Sequence, residues 1–147
     1  MQITSKFTIA VHIITAIDYF KDSVKVTSSF LAGSVGANPV IVRNVMGNLK
    51  KAGIIEVSQG KSGIALSKKL DKITLFGIYK AVDCVNDEGL FHFHENPNPA
   101  CPVGRNIHKA LDEELHSIQD AMENQMRKIT LADVVGKTRK EIRKEAK

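Results

Sequence analysis

The stretch NPVIVRNVMGNLKKAGII, residues 38–55, decides the fold expected of this chain. Asn38 can cap a helix, Pro39 suits the first helical position because no backbone N–H is needed there, and Gly53 can end the helix. One side of the helical wheel is apolar and is predicted to be buried; it holds Ile41, Val42, Val45, Met46, Leu49 and Ala52. The opposite side is then left for a partner.

The residues on either side of this helix complete a motif. Thr27 is a candidate N-cap for a shorter helix that ends at Gly36, so two helices are joined by a short turn, as in a helix-turn-helix. After the second helix, IIEVSQGKSGIALS has β-branched residues on both sides of a glycine-containing turn, which predicts a hairpin. A hairpin at this place is the wing of a winged helix.

Further helices are predicted by apolar spacing and by capping residues. A helix over residues 4–19, capped by Thr4 or Ser5, should be buried on much of its circumference. Thr74 caps a helix over 74–85, a short extended piece is expected at 90–94, and a long helix starts at Pro102. Thr130 and Asp133 form a capping-box pattern for a last helix, whose charged tail is expected to fray.

The predicted fold class is mainly α with a small β-hairpin wing. We expect a winged helix-turn-helix DNA-binding domain at residues 1–84, a sensor-type loop at 85–103, and a dimerisation helix with a C-terminal helix at 104–147. Hydrophobic residues make up 43% and charged residues 25%, which excludes a fibre or a wholly disordered chain. No segment predicts a membrane span or a secretory signal, and Cys84 and Cys101 suit a reducing compartment, so a cytoplasmic protein is expected.

The positive charge is concentrated at the two ends of the chain. Residues 1–75 hold ten Lys and Arg against four Asp and Glu, residues 76–135 hold five against ten, and residues 136–147 hold six against two. A basic head beside an acidic middle favours a polyanion bound by the head. The alternative is a solvated surface with uneven charge.

The outward side of the helix that starts at Asn38 has side chains suited to DNA. In a helix-turn-helix the second helix enters the major groove, where Arg43 can bind guanine, Asn44 can bind adenine and Val40 can meet a thymine methyl. Gly47 would permit close approach of the backbone, and Lys50 and Lys51 suit phosphates. In the wing, Gln59 and Lys61 lie where the tip of a hairpin would reach the minor groove or the DNA backbone. The alternative is an amphipathic surface helix with a basic outer face.

In the order of a known family, the chain contains the segments KFTIAVHII, SVGANPVIVRNVMGNLKKAGIIEVSQGKSGIALSK, ITLFGIYKAV, CPVGRNIHKALDEEL and KITLADVV. They give the sequence a resemblance to the Rrf-two family of bacterial winged-helix transcription regulators. It implies a homodimer whose long C-terminal helix crosses to its partner. It also implies DNA contacts from the first helix, the recognition helix and a wing that is shorter here than is common in the family. With Pro39 and Lys50, the candidate DNA-binding residues are Thr4, Ser5, Lys6, Thr27, Asn38, Val40, Arg43, Asn44, Gln59 and Lys61.

The long helix starting at Pro102 has an apolar stripe that a small head cannot cover. The stripe predicts a dimer interface, although packing within its own subunit is the alternative. Two recognition helices in a dimer would bind double-stranded DNA with a palindromic operator. The stripe consists of Ile107, Leu111, Leu115, Ile118, Met122 and Met126.

The loop before the long helix offers little to a cofactor. Family members that bind an iron–sulfur cluster use three cysteines there, whereas this loop has Cys101 alone, so the chain resembles the branch without cluster cysteines. His92, His94 and His108, with Cys101 and Glu95, are a conceivable metal set, but histidines at such spacing are more often structural. We therefore expect neither a cluster nor a metal, and Cys84 is expected to be a small buried hydrophobe.

Cys101 is instead a candidate redox sensor. It precedes Pro102 at a predicted helix N-terminus, and Arg105 follows one turn later, so the helix dipole and the guanidinium would favour a thiolate. The alternative is a cysteine with no regulatory chemistry.

No motif for catalysis is present, so an enzyme is not expected. The predicted function is that of a DNA-binding transcriptional regulator, a homodimer and repressor with a possible thiol response. The alternatives are a regulator that responds to a metal or an iron–sulfur cluster, and a non-enzymatic protein-interaction module that binds a partner enzyme.

Overall fold

The computed structural model describes residues 3–60, 63–82 and 89–147. These residues form a helical head with a two-stranded antiparallel hairpin and a long helix, which confirms the predicted fold class. In chain order the elements are α1 (Ser5–Phe20), α2 (Ser28–Val35), α3 (Pro39–Lys51), β1 (Ile55–Val57), β2 (Ile64–Leu66), a 3₁₀ turn (Leu70–Lys72), α4 (Leu75–Ala81), α5 (Pro102–Lys128) and α6 (Leu131–Glu145).

Helix α1 lies at the centre of the core and packs against α2, α3, α4, α6 and β2. The prediction that it is buried on much of its circumference is confirmed. The prediction that a side chain caps it is wrong, since Thr4 occupies the N-cap position without making a capping hydrogen bond. The buried residues of α1 are Ala10, Ile13, Ile14, Ala16, Ile17 and Asp18.

The helix-turn-helix is confirmed together with its capping residues. The Thr27 side chain accepts a hydrogen bond from the Phe30 N–H, and Asn38 accepts one from the Val40 N–H. Gly36 adopts the left-handed conformation, with φ of 70°, that stops α2 and turns the chain toward α3. Side-chain oxygens at both N-caps therefore fix where each helix begins.

The predicted hairpin is confirmed, and a glycine next to its turn lies against the head. Val57 pairs with Ile64 at the turn end of the two strands, and the Ile64 N–H donates to the Val26 carbonyl at 3.0 Å. Gly63 has φ of 67°, and a Cβ there would lie 2.4 Å from the Val26 oxygen. Only glycine fits this position, because any side chain would collide with the segment that leads into α2.

Two predicted boundaries differ from the structure. Helix α4 ends at Ala81 with Val82 as its C-cap, which is shorter than the predicted span of 74–85. Cys84, predicted as a buried residue of that helix, lies outside the described residues. No strand forms over residues 90–94, since the Leu90 N–H donates to the Gln119 side chain at 2.8 Å rather than to a neighbouring strand.

The charged C-terminal segment was expected to fray, but it forms the ordered helix α6. Its capping box is confirmed, with Thr130 and Asp133 each bonded to the other's backbone. Leu131 and Val135 are buried in the core. The start of α6 is also joined to the start of α4, because the Leu131 N–H donates to the Ile73 carbonyl at 2.8 Å.

A buried ion pair holds the far part of α6 against α1. The Asp18 carboxylate, buried on α1, accepts from Arg139 at 2.8 Å and from Lys21 at 3.2 Å. Burial acts to raise the pKa of Asp18, but the hydrogen bonds and charges of Arg139 and Lys21 outweigh it and hold this pKa below its ordinary value. The charge of the tail is thus used for tertiary attachment, which sequence periodicity does not reveal.

Helix α5 differs from the others because none of its 27 residues is buried. Met122 and Met126, near its C-terminal end, pack against the core, while Leu111 and Ile118 are 39% and 53% exposed. Across the described ranges, no helix combines the length and the apolar character needed to cross a bilayer.

We predict that Arg139→Gln destabilises the fold by about 1 to 2 kcal/mol, because the buried Asp18 carboxylate loses its strongest donor. Urea denaturation monitored by circular dichroism measures the loss. Lys144→Gln is the matched control: its partner Glu141 is exposed on the same helix, so a change within about 0.5 kcal/mol is expected. Equal losses in the two variants would show that Arg139 is not an anchor.

Candidate nucleic-acid interface and sensor loop

Helix α3 divides into a buried side and an open side. Val42, Val45, Met46 and Leu49 are buried in the core. The other side is open to solvent and includes Val40, Arg43, Asn44, Gly47, Lys50 and Lys51. The side chains expected to contact base edges therefore point away from the head.

Two residues assigned to the buried side are exposed, so that part of the prediction was wrong. Ile41 is 41% exposed because it lies at the margin of the apolar stripe, where no other element covers it. Ala52 is exposed because it is the C-cap, after the last helical residue. The open side of α3 is thus wider at its N-terminal end than the helical wheel indicates.

The two N-cap residues use their side chains structurally. Asn38 Oδ1 accepts from the Val40 N–H at 2.8 Å, and Thr27 Oγ1 accepts from the Phe30 N–H at 3.1 Å. The Asn38 amide N–H groups and the Thr27 hydroxyl hydrogen remain as donors for the predicted DNA contacts, and each oxygen keeps a second lone pair. Pro39 is exposed beside them.

A groove of about 300 Å³ separates the N-terminal ends of α2 and α3. It is lined by the small residues Ala32, Gly33 and Ala37 and by Ser28, Ser29, Pro39 and Arg43. The two serines belong to the first turn of α2, where backbone N–H groups lack helical acceptors. Such N–H groups and an arginine in one groove suit a phosphate oxygen.

The remaining candidate DNA contacts lie in α1 and in the wing. Thr4, Ser5 and Lys6 in the first turn of α1 are exposed, as is Gln59 near the tip of the wing. The Ser58 N–H donates to the Gly63 carbonyl at 2.9 Å and closes the hairpin. Lys61, the other wing candidate, lies outside the described residues.

The segment before α5 folds back onto the start of that helix. The Cys101 N–H donates to the Asn98 carbonyl at 3.2 Å, and Arg105 donates to the Pro99 carbonyl at 3.3 Å. Gly104 permits this contact, since a Cβ there would lie 2.5 Å from the Asn98 oxygen. Cys101 is the N-cap of α5 and a partly exposed free thiol, with its side chain making no capping bond.

His92, His94 and His108, with Cys101 and Glu95, are the conceivable metal set of the sequence, for which no metal is expected. Within residues 3–60, 63–82 and 89–147, no group of three or more His, Cys, Asp or Glu side chains is arranged to hold a metal ion. His92 and His94 line an open groove of about 590 Å³ with Glu95, His108 and Asp112. The strand on which two histidines would share one face is absent from this part of the chain.

His108 connects the loop to α5 through both ring nitrogens. Nδ1 lies 3.0 Å from Asp112 Oδ1, and Nε2 lies 3.0 Å from the His94 carbonyl oxygen. Both partners are acceptors, so only the doubly protonated ring can donate to both. The hydrogen bond to Asp112 is the main cause that raises the pKa of His108 above 6.5; desolvation opposes it, and the Asp112 charge and His94 carbonyl assist.

We predict that the hydrogen bonds of protonated His108 to Asp112 and to the His94 carbonyl stabilise the fold below about pH 6.5. Their contribution should weaken as the pH rises through the folded-state pKa of His108, because the folded pKa exceeds the unfolded one. NMR titration of the His108 ring measures that pKa directly. Asp112→Asn should lower it, while Asp120→Asn, on the same helix, should leave it unchanged. A His108 pKa at or below 6.5 in the natural chain would refute the prediction.

Comparison with known proteins agrees with this arrangement. A family model described as Rrf2, iron-dependent transcriptional regulator, matches residues 3–137. YwnA of Bacillus subtilis (strain 168), assigned to the HTH-type transcriptional regulators, is 43% identical over 134 residues, which cover 91% of this chain and 97% of YwnA.

Solved structures show the same fold. A crystal structure described as a DNA-binding protein is 38% identical, with a TM-score of 0.69, and the match covers 88% of this chain and 98% of that one. CymR of B. subtilis is 18% identical with a TM-score of 0.67, the match covering 92% of this chain and 97% of CymR. The latter likeness concerns the fold alone.

The iron dependence in the family description does not fit the residues described here. Cys101 is a single thiol in the segment before α5, and the nearby histidines and carboxylates are not arranged as ligands. Residues 3–137 nevertheless carry the family's features from the first helix to the start of α6. The chain therefore belongs to the Rrf2, or Rrf-two, family of transcriptional regulators, whose members are not enzymes.

Proposed function

We propose that this protein is a homodimeric repressor that binds a palindromic operator in double-stranded DNA. One observation carries the proposal: Arg43 and Asn44 are exposed on a helix whose other side is fixed in the core. Arginine can donate two hydrogen bonds to guanine and asparagine can pair with adenine in the major groove. Repression would follow from occupancy of the operator.

The charges around α3 support a polyanionic partner. The helix has no acidic residue, and Lys50 and Lys51 lie in its last turn. Lys6, in the first turn of α1, is also exposed. Lysines that meet phosphates add affinity and position the protein without selecting a sequence.

The open stripe of α5 supports the homodimer. Met122 and Met126 are already packed on the core of their own subunit, so the part that needs a partner is Ile107, Leu111, Leu115 and Ile118. A second copy would bury these side chains symmetrically. Two heads joined in this way would present two recognition helices to related half-sites, which is the reason for a palindromic operator.

We predict that Arg43→Ala lowers affinity for the preferred duplex about 10- to 100-fold and relaxes selection at one base pair, because a bidentate contact to guanine is lost. Lys50→Ala should weaken all duplexes alike and reduce the salt dependence by about one ion. Fluorescence anisotropy at several salt concentrations, with duplexes selected from a random library, measures both effects.

Ile118→Glu is the control for dimerisation, because it leaves α3 intact while placing a charge in the open stripe. Sedimentation equilibrium should give a monomer for this variant and a dimer for the natural chain. Failure of the natural chain to prefer any duplex over random DNA would contradict the proposal. That result would favour a protein-interaction module.

A response to thiol oxidation through Cys101 remains a prediction within this proposal. Its support is that Cys101 is a partly exposed free thiol at the N-cap of α5, the helix that carries the open stripe. Peroxide treatment should change DNA affinity in the natural chain but not in Cys101→Ser. If both proteins respond alike, Cys101 is not the sensor.

A further inference from the structure

Two consecutive apolar residues at the start of α3 both have exposed side chains. Val40 is 54% exposed and Ile41 is 41% exposed, in the first turn after the Asn38 cap. In a helix-turn-helix, the N-terminal residues of the second helix are those that face base edges. The most apolar part of the open side of α3 thus lies where the base sequence of the DNA would be read.

The neighbours of this pair are suited to nucleic acid. Along the helix, Val40 is followed on the same side by Arg43 and Asn44, and Ile41 is followed by Asn44. A protein-binding apolar patch would typically be larger than two side chains. Here the apolar pair is bounded by base-binding and phosphate-binding side chains, with no acidic residue in the helix.

The geometry also allows the short side chains to reach a base. Gly47, two turns after Val40, has no side chain, and a Cβ built there would have no atom within 4 Å. The open side of α3 therefore has a gap at this position. A helix with such a gap can lie deep in the groove, which short side chains require. Valine and isoleucine are stiff at χ1, so little conformational freedom is lost when they make contact.

We propose that Val40 and Ile41 are specificity-determining residues that contact the C5 methyl groups of neighbouring thymines in the operator. This inference rests on the proposed function. Thymine is the base that presents a methyl group in the major groove, and apolar side chains are its natural contacts. Ile41 was assigned to the core by the helical wheel, so its contribution follows from its exposure in the structure.

The test replaces each thymine of the preferred duplex in turn with deoxyuridine, which lacks only the C5 methyl. Affinities are measured for the natural chain, Val40→Ala and Ile41→Ala. At one or two positions the natural chain should lose roughly fourfold in affinity, the effect of one buried methyl group. The corresponding alanine variant should bind the thymine and uridine duplexes equally.

Val103→Ala is the control, since Val103 is 69% exposed on α5 and should leave the sensitivity to uridine unchanged. Circular dichroism checks that each variant is folded. A preferred duplex that tolerates every uridine, or a sensitivity that persists in both alanine variants, overturns this inference while the proposed function stands. If no duplex is preferred at all, both are overturned.

Discussion

The attachment of α3 to the core is the constraint on which the DNA-facing surface depends. Val42, Val45, Met46 and Leu49 are buried, and with a helical repeat of 3.6 residues their burial determines where every other residue of α3 points. Arg43 and Asn44 are thereby held outward without any contact of their own. A rigid backbone behind such side chains reduces the ordering that binding would require.

The C-terminal helix contributes to the same rigidity from the opposite side of α1. Arg139 donates to the buried Asp18, and Leu131 enters the core that α1 shares with α4. The chain leaves the head after α4 and returns to it at α6, so α5 is fixed near its C-terminal end. Its apolar side chains from Ile107 to Ile118 are not packed against the core of the described residues, and this makes the dimer the natural proposal.

Local signals in the sequence were sufficient for most of the fold. The caps at Thr27, Asn38, Thr74 and Thr130 depend on residues within one helical turn, so their positions could be predicted from spacing alone. The predicted caps Thr74 and Thr130 mark the starts of α4 and of α6. That they lie side by side, with Thr74 bridged to Thr130, could not be predicted, because nothing local encodes this pairing.

The errors have a common physical origin. Whether Ile41 is buried depends on which element covers the edge of the stripe, and whether the charged tail is ordered depends on an acceptor 121 residues away in the sequence. His108 was considered as a metal ligand, whereas its nitrogens bind Asp112 and the His94 carbonyl. Contacts between separate elements decide the first two cases, and a helical wheel contains no information about them. The His108–Asp112 contact lies within one helix, at a spacing of four residues, and only the His94 contact comes from outside it.

The same contacts suggest how a signal in the loop would reach DNA in the proposed dimer. Gln119 binds the Leu90 N–H, His108 binds the His94 carbonyl, and Gly104 packs on Asn98, so the loop is held along three successive parts of α5. The stripe proposed for the dimer interface is on that helix. A change that releases the loop would therefore remove contacts from the helix that carries the proposed dimer interface.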